Sequence, residues 1–189
     1  FIGTTTRNKG VPGAVQELTT TFKYNDINSL EEVFARHPGR VAAVVMEPFG
    51  VEEPVDDFLQ KVREAADREG AILVYDEVIT GFRLAMGGAQ EHFGVVPDLA
   101  CFGKAMGNGF PISTVVGRRD IMALFDEVFF SSTFGGEAVS LAAAVATINE
   151  MRKENVIAHL WSQGRKLQDG YNVLARELGV EGDTGCIGL

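Results

Sequence analysis

Cysteine, histidine and lysine are all scarce in this 189-residue sequence, and each scarcity excludes something. The two cysteines, Cys101 and Cys186, stand far apart with no C-x-x-C spacing, so neither a disulfide framework nor a thiolate zinc site is implied. Cys101 lies in the apolar run Leu99-Ala100-Cys101-Phe102 and reads as a small core residue. The three histidines, His37, His92 and His159, lack ligand spacing, and no metal is expected. There is no signal-peptide pattern and no apolar run near the roughly 18 residues of a membrane span, so a cytoplasmic setting without a membrane partner is expected. Positive charge is also short. Seventeen Lys and Arg face 26 Asp and Glu, for a net charge of −9. That balance argues against nucleic acid or an anionic membrane as the main partner, though a small anion held by local dipoles fits it. A P-loop is missing as well: Gly103-Lys104 is followed by Ala105, and Asp98 stands where the first glycine should be. The strand-like Ile72-Leu73-Val74-Tyr75-Asp76-Glu77 is therefore not the metal-binding strand of a P-loop ATPase.

What is present describes a folded α/β chain. Hydrophobic residues make up 46% and charged residues 23%, the balance of a globular domain. Residues 1–25 read as loop with short extended pieces. Ser29-Leu30-Glu31-Glu32 has capping-box spacing and predicts a helix to about His37, ended by Pro38-Gly39. Residues 41–46 form a short apolar run suited to a strand buried on both faces. A helix is expected from Pro54, with Asp56 and Asp57 in its first turn. Phe58, Leu59, Val62, Ala65 and Ala66 would lie on one face, and Gly70 would close it. The apolar stretch 71–75 follows as a strand, making a parallel βαβ unit. Two more strands are read at 99–102 and 112–117. Only nine residues separate them, too few for a parallel crossover, so this pair should be antiparallel. Helices are expected over 136–152 and from about 155 to 178. The architecture is an α/β sheet, mostly parallel, with one antiparallel strand and flanking helices.

Two residues are candidates to carry chemistry, and each has a plain alternative: a strand-end Asp76 that hydrogen-bonds the next loop, and a loop Lys104 that points to solvent. Asp76 follows directly on a buried strand, where open α/β sheets bind ligands beyond their carboxyl ends. Lys104, one of only six lysines, also sits just past a strand, among glycines and apolar residues in Phe102-Gly103-Lys104-Ala105-Met106-Gly107-Asn108-Gly109. Such surroundings can desolvate an amine and lower its pKa, as a Schiff-base lysine requires. An acid and an amine at one sheet edge, 28 positions apart, match pyridoxal-phosphate chemistry. The lysine would bond the cofactor's aldehyde carbon, and the carboxylate would keep the pyridine nitrogen protonated.

The segment Asp76-Glu77-Val78-Ile79-Thr80-Gly81-Phe82-Arg83, then Gly87-Gly88-Ala89-Gln90, Pro97-Asp98-Leu99 and Gly103-Lys104, resembles class III aminotransferases in order and spacing, from about residue 22 to 178. Ile79 points toward the glutamate-1-semialdehyde 2,1-aminomutase branch. The resemblance implies a fold type I, pyridoxal-phosphate-dependent transferase, with Lys104 and Asp76 as catalytic, cofactor-binding residues. It implies that Val78 packs on the pyridine ring. It also implies that Thr133, in Ser131-Ser132-Thr133-Phe134-Gly135-Gly136, reaches the cofactor phosphate of a neighbouring subunit, hence a homodimer. The alternative for Ser132 or Thr133 is a plain helix cap. Glu47, in Glu47-Pro48, would stand behind the ligand-touching groups, and Arg83 is read as structural. The implied reaction is amino-group transfer on a small amino or keto substrate through a 1,3 proton shift. Its alternatives are a transaminase for another aldehyde or a keto-sugar, and a catalytically incompetent truncated homologue. The loop Phe49-Gly50-Val51-Glu52-Glu53-Pro54 is shorter than usual in the family and lies near the substrate, which leaves the substrate open. The chain starts at Phe1 and ends at Leu189 without a closing helix, so it is expected to be a large-domain fragment. Residues 1–155 would belong to the cofactor-binding large domain, and 156–189 would lead toward a small C-terminal domain.

Overall fold

The computed structural model describes residues 8–50, 52–130 and 132–180. By compactness the chain divides into two units, one of residues 1–44 with 54–71, the other of residues 45–53 with 72–189.

In the first unit, a single turn of helix, α1 (Gly13–Gln16), interrupts what the sequence reads as loop. Helix α2 (Ile27–Arg36) starts two residues before Ser29, because Asp26 is the cap. Its carboxylate accepts the Ser29 N–H at 3.2 Å, while the Ser29 hydroxyl donates back to the Asp26 carbonyl at 2.7 Å. The expected Ser29–Glu32 capping box is therefore not the one used. Helix α3 (Phe58–Glu69) begins four residues later than Pro54 predicts. Asp56 and Asp57 both hold positive φ, 50° and 56°, so the chain turns through left-handed backbone before the helix can start. Gly70 ends α3 in the left-handed conformation as expected, with φ 70° and its N–H on the Ala66 and Asp67 carbonyls. Leu30, Val33 and Phe34 of α2 and Phe58, Leu59, Val62, Ala65 and Ala66 of α3 are buried, and the two helices pack together. Tyr24 adds an edge-on contact to Phe58 at 5.0 Å.

The strands β1 (Ala43–Met46), β2 (Ile72–Asp76), β3 (Leu99–Phe102) and β4 (Thr114–Gly117) join in the order β1-β2-β3-β4. The sheet is mostly parallel. β2 and β3 are parallel, with Asp76 opposite Cys101. β3 and β4 are antiparallel, with Cys101 opposite Val115, as the short connection requires.

Burial alternates along these strands. Leu73 and Tyr75 of β2, and Ala100 and Phe102 of β3, are buried, while Ile72, Val74, Asp76, Leu99 and Cys101 are only half-buried. β1 follows the same pattern: Val44 and Met46 are buried, but Val45 is 59% exposed. The expectation of a β1 buried on both faces therefore fails. β1 lies at the sheet edge, and its second face is left open among the described residues.

The second unit also contains α4 (Ala89–Phe93), the short α5 (Arg119–Met122), α6 (Ala138–Lys153) and α7 (Val156–Glu177). α6 backs the site through a cluster of Ala144 with Ala100, Phe102 and Met106, joined by Phe82, Ile112 and Ile148. Trp161 of α7 donates its indole N–H to the Leu84 carbonyl at 3.0 Å and stacks on His92 at 5.6 Å. Leu167, Tyr171 and Leu174 of α7, and Leu178 at its end, are exposed among the described residues.

Candidate functional site

β2 delivers Asp76 at its last residue, half-buried, on the side of the sheet that is left open. The chain then turns sharply. The Val78 N–H donates to Asp76 Oδ1 at 3.1 Å, and the Glu77 N–H donates to the Cys101 carbonyl of the neighbouring strand at 2.9 Å. Oδ1 is thus engaged, and the other carboxylate oxygen has no hydrogen-bond partner among the described residues. Burial pushes the Cys101 thiol up from its ordinary value, and the negative charge of Asp76 beside it adds to the effect. Cys101 is consequently a half-buried neighbour of the carboxylate and not the core residue expected.

Because β2 and β3 run parallel, the segment after β3 reaches the same edge as Asp76. Gly103 is buried there. A Cβ on it would stand 3.6 Å from Val78 Cγ1 and 3.8 Å from Ser113 Cβ, ordinary contact distances that place the Gly103 backbone beside Val78. Lys104 follows, opening a short 3-10 turn (Lys104–Met106) with φ 38°. Positive φ in a residue with a long side chain costs energy and is concentrated where function fixes the backbone. The Lys104 side chain is exposed and makes no ion pair among the described residues. The structure therefore brings Asp76, Val78 and the Gly103-Lys104 step to one edge. The desolvated surroundings expected for Lys104 are not supplied by the described residues alone.

Thr133 lies elsewhere, exposed in the turn before α6, and makes no hydrogen bond to Asp76, Val78 or Lys104. Neither it nor Ser132 caps that helix. Glu137 does, accepting the Val139 N–H at 2.7 Å and the Ser140 N–H at 2.8 Å. The plain-cap alternative for Thr133 is thereby removed, and those two amides of α6 are already taken by a carboxylate. Hydrogen bonding by Ser140 and by the Val139 N–H holds the Glu137 carboxyl below the ordinary glutamate range. A depressed folded value means that the cap stabilises α6 above that range and is lost as pH falls through the lowered value. The amide resonances of Val139 and Ser140 should titrate together at that low midpoint, and Glu137→Gln should abolish the titration.

Glu47 is exposed just past β1. Arg83 makes no salt bridge among the described residues, and its Nε is buried without a hydrogen-bond partner, so its side chain shows no structural tie. Sequence reasoning missed Glu77. It is fully buried, and its two oxygens collect the Thr80 hydroxyl, the Ala89 N–H at 2.7 Å, the Gln90 N–H at 2.9 Å and the Gln90 side-chain amide at 3.4 Å. A Cβ on Gly88, whose φ is 82°, would meet Glu77 Cδ at 2.7 Å, so only glycine fits there. Among the described residues no group of His, Cys, Asp or Glu could hold a metal, and no helix is long and apolar enough to cross a membrane.

Residues 4–181 match the family described as Aminotransferase class-III. The chain belongs to that family. The glutamate-1-semialdehyde 2,1-aminomutase of Syntrophobacter fumaroxidans is 42% identical over 178 residues, covering 90% of this chain and 41% of the relative. An omega-transaminase from Sphaerobacter thermophilus superposes with a TM-score of 0.88 at 31% identity, over 95% of this chain and 43% of the other. A solved "Transaminase with PLP bound" gives a TM-score of 0.89 at 26% identity, over 95% of this chain and 44% of the other. The class-III chain thus spans about two-fifths of the length of the relatives it matches.

Proposed function

We propose that the protein is a pyridoxal-phosphate enzyme that moves an amino group on a small amino or keto substrate, as glutamate-1-semialdehyde 2,1-aminomutase does. One juxtaposition carries the reading: at the ends of neighbouring parallel strands stand one carboxylate oxygen and an amine at strained backbone, neither with a partner among the described residues, with Val78 beside Gly103. The residues fit the cofactor. The unpartnered oxygen of Asp76 suits a protonated ring nitrogen, Val78 offers an apolar surface for a flat ring, and Lys104 would hold the aldehyde end. When bound, pyridoxal phosphate supplies an electron sink that makes a proton on the substrate's amino-bearing carbon removable. Lys104 Nζ then takes that proton and returns it to an adjacent position. Asp76, fixed by the Val78 N–H at 3.1 Å, would face the cofactor's ring nitrogen at the far end of the site.

Thr133, exposed and not needed as a cap, is free to serve a neighbouring subunit's phosphate in a homodimer. Residues 1–155 would form part of the cofactor-binding domain, with α7 leading toward a smaller domain, and the enzyme would work in the cytoplasm. Curated relatives at 39–42% identity carry the aminomutase name. A second reading, transfer between two different molecules, is favoured by solved neighbours named as transaminases. The discriminating assay offers the intact protein glutamate-1-semialdehyde alone. The aminomutase reading expects 5-aminolevulinate without any added amino donor. Turnover only with a separate donor and acceptor supports the transaminase reading. No visible cofactor band and no turnover supports the incompetent homologue.

A further inference from the structure

Glu77 has no part in the chemistry assigned above, yet its side chain is fully buried beside the residue that does. We infer that Glu77 is a positioning residue whose carboxylate sets where Asp76 and Val78 stand, and that it acts on cofactor affinity through them. This rests on the cofactor reading of Asp76.

Both sides of the Glu77 residue are pinned. Its main-chain N–H is tied to the Cys101 carbonyl of β3 at 2.9 Å. Its side chain is tied to Thr80 three residues on, and to the amides of Ala89 and Gln90 at the start of α4. Asp76 and Val78 flank this anchor, and their own link, Val78 N–H to Asp76 Oδ1, spans it. The segment 76–80 therefore has little freedom to move unless Glu77 moves. Gly88 completes the arrangement, since any side chain there would push on the Glu77 carboxylate.

The chemistry of the pocket selects a carboxylate. Oε2 accepts the Thr80 hydroxyl and the Ala89 N–H, and Oε1 accepts the main-chain and side-chain N–H groups of Gln90. A glutamine has one acceptor oxygen. Its NH2 must face at least one main-chain N–H, and a buried donor–donor encounter forces the segment to shift. A shift well under 1 Å is enough to move the Asp76 carboxylate off a ring nitrogen.

The test compares Glu77→Gln, the milder Thr80→Val, Asp76→Asn and Trp161→Phe in the intact protein, at a temperature where each is folded by circular dichroism. The readouts are the pyridoxal-phosphate dissociation constant and the pH dependence of the bound cofactor's visible absorbance. Glu77→Gln should weaken cofactor binding about tenfold or more and displace the absorbance titration in the direction that Asp76→Asn does. Thr80→Val should do the same to a smaller degree, which keeps the test alive if Glu77→Gln fails to fold. Trp161→Phe, which loses the bond to Leu84, should lower only the melting temperature. If Glu77→Gln or Thr80→Val lowers the melting temperature but leaves affinity and spectrum as in the unmodified protein, while Asp76→Asn changes them, the inference is wrong. If Asp76→Asn also changes nothing, the cofactor reading itself falls.

Discussion

Lys104→Ala should leave a folded protein whose kcat/KM for the proposed amino-group transfer is lower by about 10³-fold or more, because on that reading one amine both attaches the cofactor and moves the proton. Borohydride reduction followed by peptide mapping should find pyridoxal phosphate on a peptide containing Lys104 in the unmodified protein, and on none in the variant. The same position gives a structural counter-check. Lys104 holds φ at 38°, which glycine adopts freely and alanine does not. Lys104→Gly should therefore be more stable to urea than Lys104→Ala by about 1 kcal/mol, while both are equally inactive. Equal stability would mean that the backbone relaxes when the lysine is removed. Retained turnover in either variant would remove Lys104 from the reaction.

Asp76→Asn is the second large effect. Asparagine keeps an oxygen for the Val78 N–H, so the turn at 76–78 survives and the change isolates the charge. On the proposed reading, the ring nitrogen would then lose the partner that keeps it protonated. The rate should fall by about 10²- to 10³-fold, the size seen when one preorganised electrostatic contact is removed. The fall should be carried by kcat, because the lost contact matters most as charge develops. A variant with undiminished kcat would show that the carboxylate serves the fold and not the cofactor.

Much of the scaffold was legible because it rests on periodicity and on hard steric rules. The run Leu99-Ala100-Cys101-Phe102 is β3 residue for residue, and the expected short connection gave the direction of β4 correctly, although β4 starts at Thr114 and not at residue 112. Gly70 closes α3 because left-handed backbone at a helix end favours glycine. The misplaced helix starts share one cause: a cap is decided by the dihedrals of one or two residues, which several sequences satisfy equally. Asp26 displaced Ser29, and paired left-handed aspartates delayed α3. At α6 a glutamate two residues ahead of the first capped amide took the place offered to serine and threonine. Of the candidate site, the positions of Asp76, at the end of β2, and of the Gly103-Lys104 step, just past β3, were readable from the apolar runs before them. Glu77 was not, since its partners Ala89 and Gln90 lie 12 and 13 residues away on a helix too short to announce itself. The role expected of Thr133 points to another subunit, which one chain cannot display.

The alternation along the sheet has a consequence for how this protein can vary. On one side, Leu73, Tyr75, Ala100 and Phe102 are locked into close packing, where a lost or added methylene is felt by the whole fold. On the other, Val74, Leu99 and Cys101 are only partly covered by the chain's own atoms. Drift on that second side alters the shape and polarity offered to a visitor far more than it alters the packed interior. Substitutions should therefore be tolerated unequally on the opposite sides of a single layer of backbone.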